Sequence, residues 1–168
     1  MFEILKYPNK KLREKAKEVK KNEDVKKIVE EMLQTMYSAP GIGLAATQVG
    51  IPLRIIVIDT TPPDKEKNPI ILLNPVILKG EGVTKFEEGC LSFPGVFEEI
   101  ERYSKVWFTG YDPNWKEISG TAEGLLARAI QHEIDHLDGI LFIDRLSPLK
   151  KKLAIRKYKE LHYSIQTR

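Results

Sequence analysis

The chain has 168 residues, 42% of them hydrophobic and 30% charged, with a formal net charge of +3. This balance predicts one folded domain spanning residues 1–168 and excludes a disordered polyelectrolyte; so small a net charge gives no ground for sequence-specific nucleic-acid binding. A single cysteine excludes an internal disulfide, no apolar run reaches membrane-spanning length, and the opening Met1-Phe2-Glu3-Ile4-Leu5-Lys6 lacks a signal-peptide layout, so a cytoplasmic protein without membrane partners is expected.

Residues 1–22 are basic and irregular, with Pro8-Asn9 as a turn signal. From Asp24, which is placed to cap a helix, Val25, Ile28, Val29, Met32, Leu33 and Met36 recur at helical spacing until Pro40-Gly41. Gly41 to Gly50 holds three glycines among small apolar residues, where backbone must turn or approach something closely; its glycines alone fit a structural turn and a site wall equally well. It lacks the Gly-Lys-Ser/Thr ending of a phosphate loop. Leu53 to Ile58 reads as a buried strand, and Thr60 to Pro69, with three prolines and four charges, as an exposed loop. Ile70 to Leu78 is broken by Asn74-Pro75, which predicts two short strands or one kinked edge strand. Gly82 to Phe86 reads as a short strand. Val96–Arg102 and Lys105–Tyr111 read as a strand pair linked by Tyr103-Ser104, followed by a turn at Asp112-Pro113-Asn114 and a strand over Lys116–Ser119. Ala122 to Leu137 switches to a broad apolar helical period, ended by Gly139; Pro148 opens a last helix. Strands around one buried helix, with helices before and after, predict an α+β fold of antiparallel or mixed sheets.

The chemistry concentrates in Gln131-His132-Glu133-Ile134-Asp135-His136. Two histidines four apart stand on one helix face, ~6 Å apart along its axis, so both imidazoles can reach one metal ion with Glu133 beside them to handle a proton. An ionised glutamate on so apolar a helix is costly without a partner or a task. The only cysteine, Cys90, is the candidate third ligand; it lies in Glu88-Gly89-Cys90-Leu91-Ser92, among acids and a glycine rather than in the hydrophobic run expected around an inert core thiol. A cation held by one thiolate and two imidazoles keeps a fourth position for water, and this donor set suits Zn²⁺ or Fe²⁺.

Together, Gly41-Ile42-Gly43-Leu44-Ala45-Ala46-Thr47-Gln48, Glu88-Gly89-Cys90-Leu91-Ser92 and Gln131-His132-Glu133-Ile134-Asp135-His136 resemble, in order and spacing, the three motifs of bacterial peptide deformylases, and the resemblance runs from about Leu5 through the last helix. It implies the peptide-deformylase fold around the buried His-Glu-x-x-His helix, and removal of the formyl group from the formyl-methionine of N-formylmethionyl nascent peptides. It further implies that Cys90, His132 and His136 bind one divalent ion, natively Fe²⁺, with Zn²⁺, Ni²⁺ or Co²⁺ able to substitute. Glu133 would then take a proton from the metal-bound water and deliver it to the leaving amine, while Gln48 and the Leu91 backbone N–H hold the oxyanion. Gly43 would let the substrate backbone approach, and Ile42, Phe86, Leu125, Ala129 and the edge of His132 would surround the methionine side chain. Phe97 stands where family members often have an arginine, and Arg128 where an apolar residue is frequent; Arg128 is expected to line the mouth or to pair with an acid. Glu88 and Arg102 are candidates for an ion pair beneath the cysteine turn.

Two other readings are open on residues alone: another His-Glu-x-x-His metallohydrolase, such as a zinc peptidase, and a non-enzymatic metal-binding module. The tail carries Lys150, Lys151, Lys152, Arg156, Lys157, Lys159 and Arg168 against one acid, Glu160. That composition fits a solvated helix face, or a ribosome contact through the C-terminal helix, which the resemblance supports.

Overall fold

The computed structural model describes residues 1–163; Arg168 of the basic tail lies outside them. Among the described residues three α-helices, α1 (Lys26–Ser38), α2 (Gly124–Leu137) and α3 (Pro148–Tyr163), accompany seven strands. The strands are β1 (Gly43–Ala45), β2 (Ile55–Ile58), β3 (Ile70–Glu81), β4 (Thr84–Cys90), β5 (Phe93–Arg102), β6 (Lys105–Tyr111) and β7 (Glu117–Glu123). They form a five-stranded sheet in the order β1-β2-β3-β6-β7 and a two-stranded ribbon of β4 and β5, with the named strands paired antiparallel. The α+β expectation is met.

The large sheet is covered on both faces near β2, and the alternation of its four residues explains why. Ile56 and Ile58 join a cluster with Leu72, Phe108 and the Ala127, Ile130, Ile134 face of α2. Ile55 and Val57 turn the other way, onto Leu44, Leu73 and the Val29, Met32, Met36 face of α1. A strand buried on both faces reads as an unbroken apolar run, as this one does. Helix α1 contains no proline or glycine, its Lys26 N–H donates to the Asp24 carboxylate, and Gly41 N–H closes its end on Met36 C=O at 2.8 Å. A third cluster packs Phe93, Val96 and Ile100 of β5 against Phe142, Ile143 and the Ala154 and Tyr158 face of α3.

Two strand expectations are corrected. Ile70 to Glu81 is one continuous strand, and it is not at the sheet edge: β2 pairs with Ile70–Leu73 and β6 runs along its other side. Asn74, at φ 51°, shifts the register just where β2 ends, so Pro75 falls beyond that partner, where its missing N–H costs nothing. The Asn74 side chain meanwhile accepts from Val19 N–H at 2.8 Å and donates to Val19 C=O at 3.0 Å. Nor do Val96–Arg102 and Lys105–Tyr111 pair with each other: β5 pairs with β4, and β6 with β3 and β7. Tyr103-Ser104 has no residue suited to a tight hairpin, and the Gln131 carboxamide holds both Tyr103 N–H and C=O at 2.9 Å, steering the chain from one sheet into the other. Among the described residues no helix is long and apolar enough to cross a membrane.

Candidate metal centre

Three chain segments converge beneath the ribbon. Helix α2 presents His132, Glu133 and His136, all buried. The β4–β5 hairpin, whose tip is Leu91-Ser92, places Cys90 opposite Phe93. That tip is anchored twice: Phe93 stacks on Tyr158 with ring centroids 4.2 Å apart, and Ser92 C=O accepts from Tyr7 N–H at 2.8 Å. After β1, a 3-10 turn over Ala46–Val49 carries Gln48, which is 1% exposed. Ala45 N–H donates to Gln48 Oε1 at 2.9 Å, which settles the orientation of the carboxamide: its NH₂ faces Ser92 Oγ at 3.1 Å and Cys90 Sγ at 3.8 Å.

Cys90 Sγ lies 3.3 Å from His136 Nε2, and the two Nε2 atoms are 3.2 Å apart. All three donor atoms fall within 4.8 Å of one another. These spacings fit a shared cation, since nitrogens bound tetrahedrally at ~2.05 Å sit roughly 3.3 Å apart. His132 Nδ1 donates to Glu88 Oε1 at 2.9 Å, so its Nε2 points inward, beside the sulfur and the second imidazole. The three donor atoms crowd one small space that suits a positive charge between them. Among the described residues, Glu133 Oε1 is buried beside the cluster without a hydrogen-bond partner, as expected of a group that faces a site built to hold further groups; His136 Nδ1, on the side of its ring away from the cluster, is also without one.

The electrostatics agree. Burial pulls His132 down, yet the negative charge of Glu133, Cys90 and Glu88 holds it well above the ordinary histidine value, and a field that favours a proton there favours any cation. Burial and the neighbouring His132 push His136 well below that value. Burial also raises Glu133 to about 7, helped by Glu88 and Asp135 and opposed by His132 and Arg102. Glu88 is driven the other way: burial would raise it, but hydrogen bonds from His132 and Arg102 hold it far below the carboxylate range.

Gly43 of β1 faces Glu133; a Cβ there would lie 2.5 Å from Glu133 Oε2, so glycine leaves the room the carboxylate occupies. Ile42 and Gly43 line a cavity of about 610 Å³ together with Leu125 and Ala129, and it opens onto Cys90, Gln48, His132 and Glu133. Phe86, placed in that pocket on sequence grounds, is not among the lining residues. Phe86 is 63% exposed, with the Arg128 guanidinium 6.0 Å from its ring centroid, and Arg128 supplies that stretch of wall instead. The physical reason is that Arg128 is pinned there, donating to Glu88 Oε2 at 2.6 Å, Ile100 C=O at 2.8 Å and Thr84 C=O at 3.0 Å. Phe97 lines the mouth and packs over Gly89.

The sequence model of one protein family, Polypeptide deformylase, matches residues 1–152. The chain belongs to the polypeptide deformylase family. A peptide deformylase of Thermodesulfovibrio yellowstonii is 51% identical over 160 residues, 95% of this chain and 97% of that protein. Among solved structures, a peptide deformylase from Legionella pneumophila superposes with a TM-score of 0.89 at 43% identity, covering 100% of this chain and 98% of that one. A peptide deformylase from Synechococcus elongatus, in complex with actinonin, gives 0.88 at 43% identity, covering 93% and 86%. As a deformylase-family chain this protein is an enzyme, a hydrolase of N-terminal protein processing, and its Cys-His-His cluster is a possible metal site.

Several residues around this deformylase centre carried no assigned role in the sequence reading. Ser92 and Asp135 lie inside motifs, but nothing local marks the partners they meet: the Gln48 NH₂ for Ser92, and Arg102 and Arg145 for Asp135. The expected Glu88–Arg102 pair is present, with Arg102 Nε and Nη2 each 2.9 Å from the carboxylate. Arg145 had no motif to mark it; only its place after the apolar Ile140–Phe142 run hinted that it lies near the core.

Proposed function

We propose that this single-domain chain removes the formyl group from the formyl-methionine of nascent polypeptides, in the cytoplasm where they are made. The observation that carries the reading is the convergence of Cys90 Sγ and two histidine Nε2 atoms within 4.8 Å beside the buried carboxylate of Glu133. Cys90, His132 and His136 would hold one divalent ion, Fe²⁺ natively with Zn²⁺, Ni²⁺ or Co²⁺ as substitutes, which when bound supplies a Lewis acid that lets water ionise near neutral pH.

The chain's own residues do the rest. Glu133, buried beside the cluster with one carboxylate oxygen unpartnered among the described residues, is placed to take a proton from the attacking water and pass it to the departing amine. The Gln48 NH₂, fixed by Ala45 N–H, and the Leu91 N–H donate to the oxygen that gains charge; such a donor in a dry site is worth about 2.7–4 kcal/mol of barrier. β1 stands at the edge of the sheet, and an extended peptide would add to it as a further strand. Leu125, Ala129, Ile42 and the edge of His132 would receive the methionine side chain, with Arg128 in place of Phe86 on that wall.

Glu133→Ala is expected to keep its metal and lose turnover of formyl-Met-Ala by about 10²–10⁴-fold. Unchanged turnover would remove the assigned role, and cleavage only of an internal peptide bond would favour the zinc-peptidase reading. The basic side of α3 is proposed to meet the ribosome; Lys151 pairs with Asp144 at 2.8 Å and Arg156 with Glu160 at 3.3 Å, so those two are partly neutralised. Co-sedimentation with ribosomes that survives deletion of residues 150–168 would refute that contact.

A further inference from the structure

The polar support behind His132 continues past Glu88. Arg102, only 6% exposed, gives Nε and Nη2 to Glu88 and turns Nη1 to Asp135 Oδ2 at 2.6 Å. Arg145 then grips Asp135 with two bonds, Nη2 to Oδ1 at 2.7 Å and Nε to Oδ2 at 3.0 Å. From His132 outward the order is carboxylate, guanidinium, carboxylate, guanidinium. It ends at a side chain 46% exposed, in the 3-10 turn Phe142–Arg145, where a second cleft of about 310 Å³ opens.

Each link has a physical consequence for the one before it. Glu88 Oε1 serves both His132 and Arg102, and Oε2 serves both Arg102 and Arg128. Glu88 presents Oε1 to the His132 Nδ1–H in a fixed direction because Arg102 and Arg128 fix the plane of its carboxylate. Asp135 Oδ2 fixes the direction of the Arg102 fork in turn. The planar fork of Arg145 sets the plane of Asp135, as a lysine's point charge would not. Partners of a ligating histidine govern how tightly a metal is held.

We propose that Arg145, through Asp135, Arg102 and Glu88, is a positioning residue for His132 and sets how firmly the Cys90–His132–His136 cluster holds its divalent ion. The inference rests on the metal reading above. It is tested with protein loaded with cobalt(II), following transfer of the ion to a chelator and the visible absorption of the bound ion, with thermal melting as a check on folding. Arg145→Ala is expected to raise the cobalt dissociation constant about 10-fold, at the low end for such partners, and to shift the visible bands. Arg145→Lys falls between it and the parent. In a Glu88→Gln background, or in Asp135→Asn should that background fail to fold, Arg145→Ala adds no further loss. Cobalt binding by Arg145→Ala equal to that of the parent, or an equal loss in the interrupted backgrounds, reduces Arg145 to a brace of the fold and overturns the inference alone. A parent chain that takes up no cobalt and shows no thiolate-to-cobalt band removes the metal reading and this inference together.

Discussion

The five-stranded sheet and the β4–β5 ribbon are held by different forces. The sheet is fixed by apolar burial: Ile55, Ile56, Val57 and Ile58 are each 0% exposed, sandwiched between α1 and α2. A two-stranded ribbon is marginal alone, and this one buries Phe93, Val96 and Ile100 against α3 while its other attachment is ionic: Glu88 and Arg102 of the ribbon bond to His132, Arg128 and Asp135 of α2. The sheet positions α2, and hence both histidines. The ribbon brings the sulfur to them, and its charges decide whether it arrives. Stability and metal binding are therefore separable on the sheet and coupled at the ionic contacts of the ribbon.

The sharpest break is at the sulfur. Cys90→Ala is expected to lose the ion on dialysis, by metal analysis, while urea unfolding of the metal-free protein stays close to that of the metal-free parent. Arg102→Ala takes one buried partner each from Glu88 and Asp135, leaving them Arg128, His132 and Arg145, and is expected to cost about 3 kcal/mol, the low end for a broken buried ion pair, in urea unfolding and to weaken metal binding as well. Ile55→Ala, on the α1 side of β2, costs about 2–5 kcal/mol by the same measurement with metal affinity unchanged in the folded protein; a matching loss of affinity would erase the distinction between the two regions.

Acid separates them more gently. Glu88 sits below its unfolded value of about 4.3, so its contribution is fully present above that pH and fades as pH falls toward the folded value. Ribbon amides are expected to lose hydrogen-exchange protection in acid before those of β2. The smallest effect falls on the ribbon's outer face: the Lys85–Glu101 pair is 3.8 Å apart and more than half exposed on both sides, so Lys85→Ala shifts stability by less than about 1 kcal/mol.

Legibility in the sequence follows the same division. α1, β2 and α2 declare themselves because burial imposes a period, and the three motifs bring forward Gln48, Cys90, His132, Glu133 and His136. What is not legible depends on distant partners. The separation of β5 from β6 is enforced by Gln131 on Tyr103, and the displacement of Phe86 from the cavity wall by the anchors of Arg128; neither leaves a local pattern. Asn74-Pro75 looked like a break because nothing local reveals that β2 stops one residue earlier. Gly43 was read for what it admits from outside, whereas its nearest neighbour is Glu133 on the inside.

The open edge at β1 is only three residues long, Gly43–Ala45. On the proposed reading, a visiting chain laid along so brief a rail would be gripped over its first few units and run free thereafter. Such a surface would read the opening of a protein and ignore its plot, which is what a single catalyst needs if it is to serve a whole proteome of unrelated clients.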